Sequence, residues 1–234
     1  MQLSGPDPLP PVAAAAVVPL RDGPGGRLQV LVGRRADSMT YGGQWTFPGG
    51  RVDERDADPG APGDELAAAR RAAVREAAEE VGLAFPPSAL VPFNHWTGGS
   101  GTGLRRLFAA WYFLARAPEG TVVLDGRETL DHRWITPADA LAARDRGELS
   151  VVAPVWMTLH ALVGAGSVAG ALALAGADGR EPVRYTSRLV EAADARVVLW
   201  AGDAGYDTGD PDAPGPRHRL VMTDGAGWRS VQRG

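Results

Sequence analysis

Short runs of alternating or continuous apolar residues recur along the chain, and one long segment breaks that habit with a helical period. VAAAAVVPL (12–20) and RLQVLVGRR (27–35) read as two strands joined around DGPGG, a hairpin signal. Trp45 to Val52 reads as the next strand, and ALVPFNHWT, RRLFAAWYFLARA and HRWIT as three more. Between them, residues 65–81 change period: Leu66, Ala73, Ala77 and Val81 recur at helical spacing with Val74 beside them. Asp64 is placed as N-cap, Glu65 falls in the first turn where the dipole favours an anion, and Gly82 follows as a C′ residue. The alanines of that stripe predict a close approach to a sheet. Pro86 and Pro87 stop any continuation, and TPADALAARDRG predicts a shorter helix capped at Thr136.

The other face of the long helix carries the chemistry. In REAAEEVGL (75–83), Glu76, Glu79 and Glu80 stand at i, i+3 and i+4, so their carboxylates project together. Like charges that close raise one another's pKa unless a cation neutralises them. A solvated acidic face would interleave Lys or Arg, and here only Arg75 is placed to pair with Glu79. The pattern points to a divalent metal.

Upstream stands WTFPGGRVD (45–53), and with it the chain resembles the Nudix hydrolases. Their signature begins with a glycine, passes a glutamate, and ends Arg-Glu-apolar-any-Glu-Glu-any-Gly-apolar. Gly50 matches the start; Arg75, Glu76, Glu79, Glu80, Gly82 and Leu83 match the end. Gly50 and Leu83 lie about eleven residues further apart than the signature has them, and DADPGAPGDEL is the insert. Asp56 takes the place of the first signature glutamate counted from Gly50, while counting back from Arg75 lands on Ala67. The resemblance implies an α/β/α sandwich with a mixed sheet over residues 11–148, and Mg²⁺ or Mn²⁺ held by Glu76, Glu79, Glu80 and the Gly50 carbonyl. It implies that Arg75 orients the acidic cluster, and that Glu128, standing before Trp134 as a late glutamate does in some relatives, is a catalytic base or further ligand. Hard oxygen ligands suit such ions, which stabilise charge on diphosphate oxygens.

The implied reaction is hydrolysis of a diphosphate linkage in a nucleoside diphosphate derivative, such as a CoA-like compound, dinucleotide, sugar nucleotide or dNTP. The insert gives the chain the look of the CoA and acyl-CoA diphosphatase branches. The alternative is a catalytically silent Nudix-fold protein that binds nucleotides or regulates. Retention of all three helix glutamates and Arg75 favours catalysis. Arg34, Arg35, Trp45, Arg105 and Arg106 are the candidate substrate contacts, the arginines as phosphate clamps and the indole as a stacking surface. The four histidines share no ligand spacing.

Composition narrows this further. A net charge of −4 and a pI near 5.6 give no footprint for duplex nucleic acid. The chain has no cysteine, which excludes disulfides and thiolate sites, argues against the isoprenoid-diphosphate isomerase branch, and suits a cytoplasmic location. PVAAAAVVPL is too short to span a bilayer, and no targeting segment is legible. MQLSGPDPLP reads as a loose tail. Residues 150–234 form a C-terminal α+β extension: two apolar helices broken at Gly164 to Gly166, then VRYTSRLV, ARVVLWAG, RHRLVMTD and GWRSVQRG as strands, with a Gly- and Pro-rich loop at 205–217. Three roles are open to it: cap of the substrate cleft, homodimer interface, or completion of the core.

Overall fold

The computed structural model describes residues 10–58, 60–99, 107–176, 181–223 and 227–233. Among them are twelve strands in two sheets and four α-helices. The first sheet is mixed. Strand β1 (Val12–Asp22) forms the expected hairpin with β2 (Leu28–Arg35), turning through a short 3₁₀ stretch in which Gly25 and Gly26 take positive φ. Along its length β1 runs parallel to β6 (Phe108–Arg116), which pairs antiparallel with β5 (Val91–Thr97); β7 (Thr129–Ile135) pairs with β2.

The Trp45–Val52 segment is two short strands rather than one. β3 (Trp45–Thr46) pairs with β2, and β4 (Gly49–Arg51) pairs with β1. Pro48 between them has no N–H to give a ladder, so the segment breaks there and changes partner. Gly49 sits against β1 so closely that a Cβ would fall 2.5 Å from the Ala16 Cα. Only glycine fits there.

Helix α1 (Glu65–Val81) carries the predicted cap: Asp64 accepts a hydrogen bond from the Ala67 N–H, and Gly82 ends the helix in the left-handed region at φ 69°. Ala69, Ala72, Ala73, Ala77 and Val81 are buried against Ala15, Val17, Trp111 and Phe113 of β1 and β6. Small side chains let the helix axis come close to the sheet, which brings its opposite stripe to the level of β4. That stripe holds the glutamates.

The other face of the sheet is covered by the rest of the chain. Helices α2 (Pro137–Asp145), α3 (Ala153–Leu162) and α4 (Val168–Gly176) pack there, with Trp156, Leu159, Leu162 and Val168 in one core with Val18, Val30 and Leu114. The segment VRYTSRLV, expected as a single strand, splits at Ser187. Its first half, β8 (Val183–Thr186), joins the first sheet beside β5; its second, β9 (Arg188–Glu191), starts a separate antiparallel sheet with β10 (Arg196–Leu199), β11 (Arg217–Met222) and β12 (Arg229–Arg233). Ser187 is held at the crossing by its N–H to the Thr97 carbonyl and by the Trp200 indole N–H donating to its hydroxyl. Trp96, Tyr185 and Trp200 pack ring to ring across the two sheets, 4.1–5.6 Å apart. A buried Arg219–Asp203 pair at 2.6 Å locks the loop after β10 to β11. Burial works against ionisation of Asp203, but Arg219 and two backbone N–H groups prevail and hold its pKa at about 2.

No helix of the described residues is long and apolar enough to cross a membrane.

Candidate active site

The edge where β4 meets α1 gathers the charged groups. Arg75 lies at the centre, only 16% exposed, and donates from Nη2 and Nε to both Asp56 oxygens at 2.9 and 3.2 Å. The same guanidinium reaches Glu76 at 2.7 Å, Glu79 at 3.3 Å and the Arg51 carbonyl at 3.0 Å. The Asp56 hydrogen bonds chiefly, with those of Glu76, raise its pKa against desolvation. Asp56 is 3% exposed and also accepts from the Asp53 N–H. Burial disfavours its charge, yet Arg75 and that N–H outweigh it and hold its pKa below the ordinary carboxylate value.

Counted from Gly50, Asp56 thus lands where the signature expects an acid, and both its oxygens are spent on Arg75. It anchors the arginine instead of facing the cluster. The rest of the insert, Ala57 to Gly63 apart from Pro59, runs over the surface, tied down where Arg71 meets Asp58.

A second arginine organises the other half. Arg35 contacts Glu80 at 3.3 Å and Glu128 at 3.7 Å, and gives its Nε to the Thr40 carbonyl. Glu80 is 4% exposed and accepts the Gly49 N–H at 3.1 Å. Burial pushes its pKa up to about 7 despite Arg35 and the Gly49 amide, with Glu76 and Glu128 adding repulsion. Burial raises Glu76 as well, over the opposition of Arg75, and Glu79 and Glu128 add to the rise. Gly50 stands directly against Glu76: a Cβ there would fall 2.5–2.6 Å from the carboxylate. A side chain at position 50 would push the Glu76 carboxylate aside.

Among the described residues no three acidic or histidine side chains form a ready cage, since the carboxylates are turned onto Arg75 and Arg35. The donor chemistry nonetheless suits a hard divalent cation. Four carboxylates and the Gly49–Gly50 backbone share one corner, every donor is oxygen, and Glu76 and Glu80 carry a mutual repulsion that a cation would relieve.

That corner opens into a cavity of about 550 Å³. One wall is the first sheet, with Ala15, Gly50, Phe47 and Tyr112, and Arg35 reaches it from the cluster side. The opposite wall comes from the C-terminal extension, through Val151, Pro154, Leu189, Val198 and Met222. Tyr41 stands at its edge with φ 61°, the one non-glycine in the left-handed region among the described residues, its ring 6.4 Å from Phe108. A strained backbone at a binding surface is a recurrent signature of function.

A family model described as the NUDIX domain matches residues 10–165. The chain belongs to the Nudix family. It is a Nudix-type pyrophosphohydrolase by that membership. A crystallised NUDIX hydrolase from Alicyclobacillus acidocaldarius is similar at 25% identity, over 70% of this chain and 96% of that one, with a TM-score of 0.60. The NUDIX domain of Shewanella oneidensis NrtR, crystallised with ADP ribose, shares the fold at 16% identity and a TM-score of 0.50, over 64% and 85% of the two chains. Among curated proteins none matches this Nudix hydrolase.

The residues singled out from sequence divide into three groups. Gly50, Arg75, Glu76, Glu79, Glu80, Glu128 and Arg35 are brought together. Arg34 and Trp45 are not: Arg34 pairs with Asp37 at 2.9 Å, and Trp45 is 4% exposed in the core with Arg133 4.7 Å above its ring. Trp45 follows the strand alternation inward, where a large aromatic gains most from burial, so it offers no stacking face to a ligand. The N-terminal tail through Leu9, and Arg105 and Arg106, lie outside the described residues. Sequence reading passed over the cleft residues Leu189, Arg196, Val198, Met222 and Trp228, which nothing local distinguishes from ordinary strand positions.

The raised Glu80 pKa gives a pH prediction. A carboxyl protonated up to about 7 in the folded state, but only to about 4.5 unfolded, adds stability below pH 4.5 that is lost as pH rises through 7. The loss for metal-free protein is about 3 kcal/mol. Thermal melts in chelator should therefore fall from pH 5 to pH 8, Mg²⁺ should restore the alkaline values, and Glu80→Gln should flatten the chelator curve. A chelator curve unchanged by Glu80→Gln would refute the assignment.

Proposed function

We propose that this Nudix hydrolase cleaves the diphosphate linkage of a nucleoside diphosphate derivative by attack of water on phosphorus, with Mg²⁺ or Mn²⁺ as cofactor. The observation that carries the reading is the convergence of Glu76, Glu79, Glu80 and Glu128 at the Gly49–Gly50 loop, at the end of a cavity large enough for a nucleotide-sized ligand. The NrtR domain seen with ADP ribose supports including that compound among the substrates to be tried.

Glu76, Glu79, Glu80 and the Gly50 carbonyl would hold the cation, which when bound neutralises charge on the diphosphate and activates the attacking water. Arg75, pinned by Asp56, sets the positions of Glu76 and Glu79. Arg35 lies between the cluster and the cavity, where its guanidinium can pass from Glu80 to a phosphate oxygen. Glu128, 46% exposed beside Arg35, would take the proton of the attacking water. Residues from Ser150 onward serve this reading as the far wall of the cleft as well as part of the core.

The deciding experiment is a screen of purified protein against CoA, NADH, ADP-ribose, sugar nucleotides and dNTPs with Mg²⁺ or Mn²⁺, following phosphate after phosphatase treatment. Hydrolysis of at least one diphosphate derivative, abolished by chelator, is expected. Binding without turnover of any would favour the silent alternative. For the active substrate, Glu128→Gln should lower kcat by about a hundredfold with little change in KM and flatten the acidic limb of the rate profile. An unchanged kcat and pH profile would remove Glu128 from the mechanism.

A further inference from the structure

The far wall of the cleft carries a charge that no described residue of the cavity answers. Arg196 opens β10 and lines the cavity, sharing its strand face with Val198, across from Leu189 of β9 and close to Met222. The residue is exposed, and among the described residues its guanidinium has no hydrogen bond or ion pair. Glu191 stands opposite it in the ladder without pairing with it. Among the described residues no acidic one lines the cavity, and the other cation that does, Arg35, is already engaged by Glu80 and Glu128 at the cluster end. An unanswered guanidinium lining a largely apolar cleft concentrates positive potential where a ligand must pass. Its planar fork matches phosphate and carboxylate oxygens.

We infer that the substrate carries a second anionic group, a phosphate or carboxylate remote from the scissile diphosphate, and that Arg196 of the C-terminal sheet selects for it. The inference rests on the hydrolase reading for which bond is cut, but not for which ligand is held. The diphosphate lies at the Gly49–Gly50 end, the body of the ligand lies between the two sheets, and the remote anion meets Arg196. The C-terminal extension thereby becomes the part of the molecule that chooses among diphosphates.

Compounds that differ by one anion test this. Titration calorimetry of the full chain compares NADPH with NADH and CoA with dephospho-CoA for a phosphate, and UDP-glucuronate with UDP-glucose for a carboxylate. The wild type should bind the more charged member of at least one pair on the order of tenfold more tightly, the scale of one charge-assisted hydrogen bond. Arg196→Ala should erase that preference without shifting the melting temperature, Arg196→Lys should keep part of it, and Glu191→Gln should strengthen it. Equal affinities within every pair, or a preference that survives Arg196→Ala, would overturn the inference. A preference for the extra anion in a protein that hydrolyses neither these six nor any compound of the wider screen would leave Arg196 in its role and defeat the hydrolase reading instead.

Discussion

Glu79→Gln is expected to lower kcat/KM by at least about a hundredfold while leaving the fold unchanged. The side chain is 54% exposed and among the described residues is held only by Arg75 at 3.3 Å and Arg55 at 3.7 Å, so an isosteric amide disturbs little packing. What it removes is one ligand charge for the cation, and losing a metal's stabilisation of transition-state charge costs several kcal/mol. Without metal the variant should melt at or slightly above the wild-type temperature, because repulsion with Glu76 falls. Steady-state rates with Mg²⁺ and melts in chelator measure the two halves. Activity within about threefold of wild type would sink the ligand assignment.

Asp56→Ala should instead damage both stability and rate. Asp56 is buried, gives both oxygens to Arg75 and accepts the Asp53 N–H, so alanine leaves a partly buried guanidinium short of its main partner and an amide uncapped. Breaking a buried pair from one side costs about 3–5 kcal/mol, and the remaining contacts to Glu76 and Glu79 bring the expected loss to roughly 2–4 kcal/mol. For a chain of this size that lowers the melting temperature by roughly 5–15 °C. Because Arg75 also positions Glu76 and Glu79, kcat should fall at least about tenfold at temperatures where the variant is folded. Asp56→Asn, which keeps an acceptor for the Asp53 N–H, should lose less stability. The pH dependence follows from the depressed pKa: the contribution of Asp56 is present above the unfolded value near 3.8 and disappears as pH falls below it. Melting and rate measurements that leave Asp56→Ala equal to wild type would show that Arg75 does not depend on this anchor.

The long helix and its chemistry were legible because helical periodicity is local. A spacing of three and four residues places Glu76, Glu79 and Glu80 on one stripe and the alanines on another, wherever the helix docks. The same reasoning found both caps, the hairpin of β1 and β2, and the mixed α/β class. Strand patterns say less. Alternation marks two faces but does not say what covers either, so Trp45 could be read as a ligand surface although it faces the core. Nor does alternation name a partner strand, so VRYTSRLV gave no sign that its halves enter different sheets at Ser187.

The sequence by itself determined that three carboxylates share one helix stripe with Arg75 placed to pair with Glu79, and that a glycine stands at position 50 of the matched motif, because these relations follow from helix geometry and the motif's spacing. Tertiary structure alone decided that Asp56 anchors Arg75, that Arg35 joins Glu80 to Glu128 across 48 residues, and that Arg196 looks into the cleft. Those contacts join groups far apart in the chain, and their geometry depends on how closely α1 and the second sheet approach the first. That distance is set by side-chain packing summed over both faces, not by any local pattern.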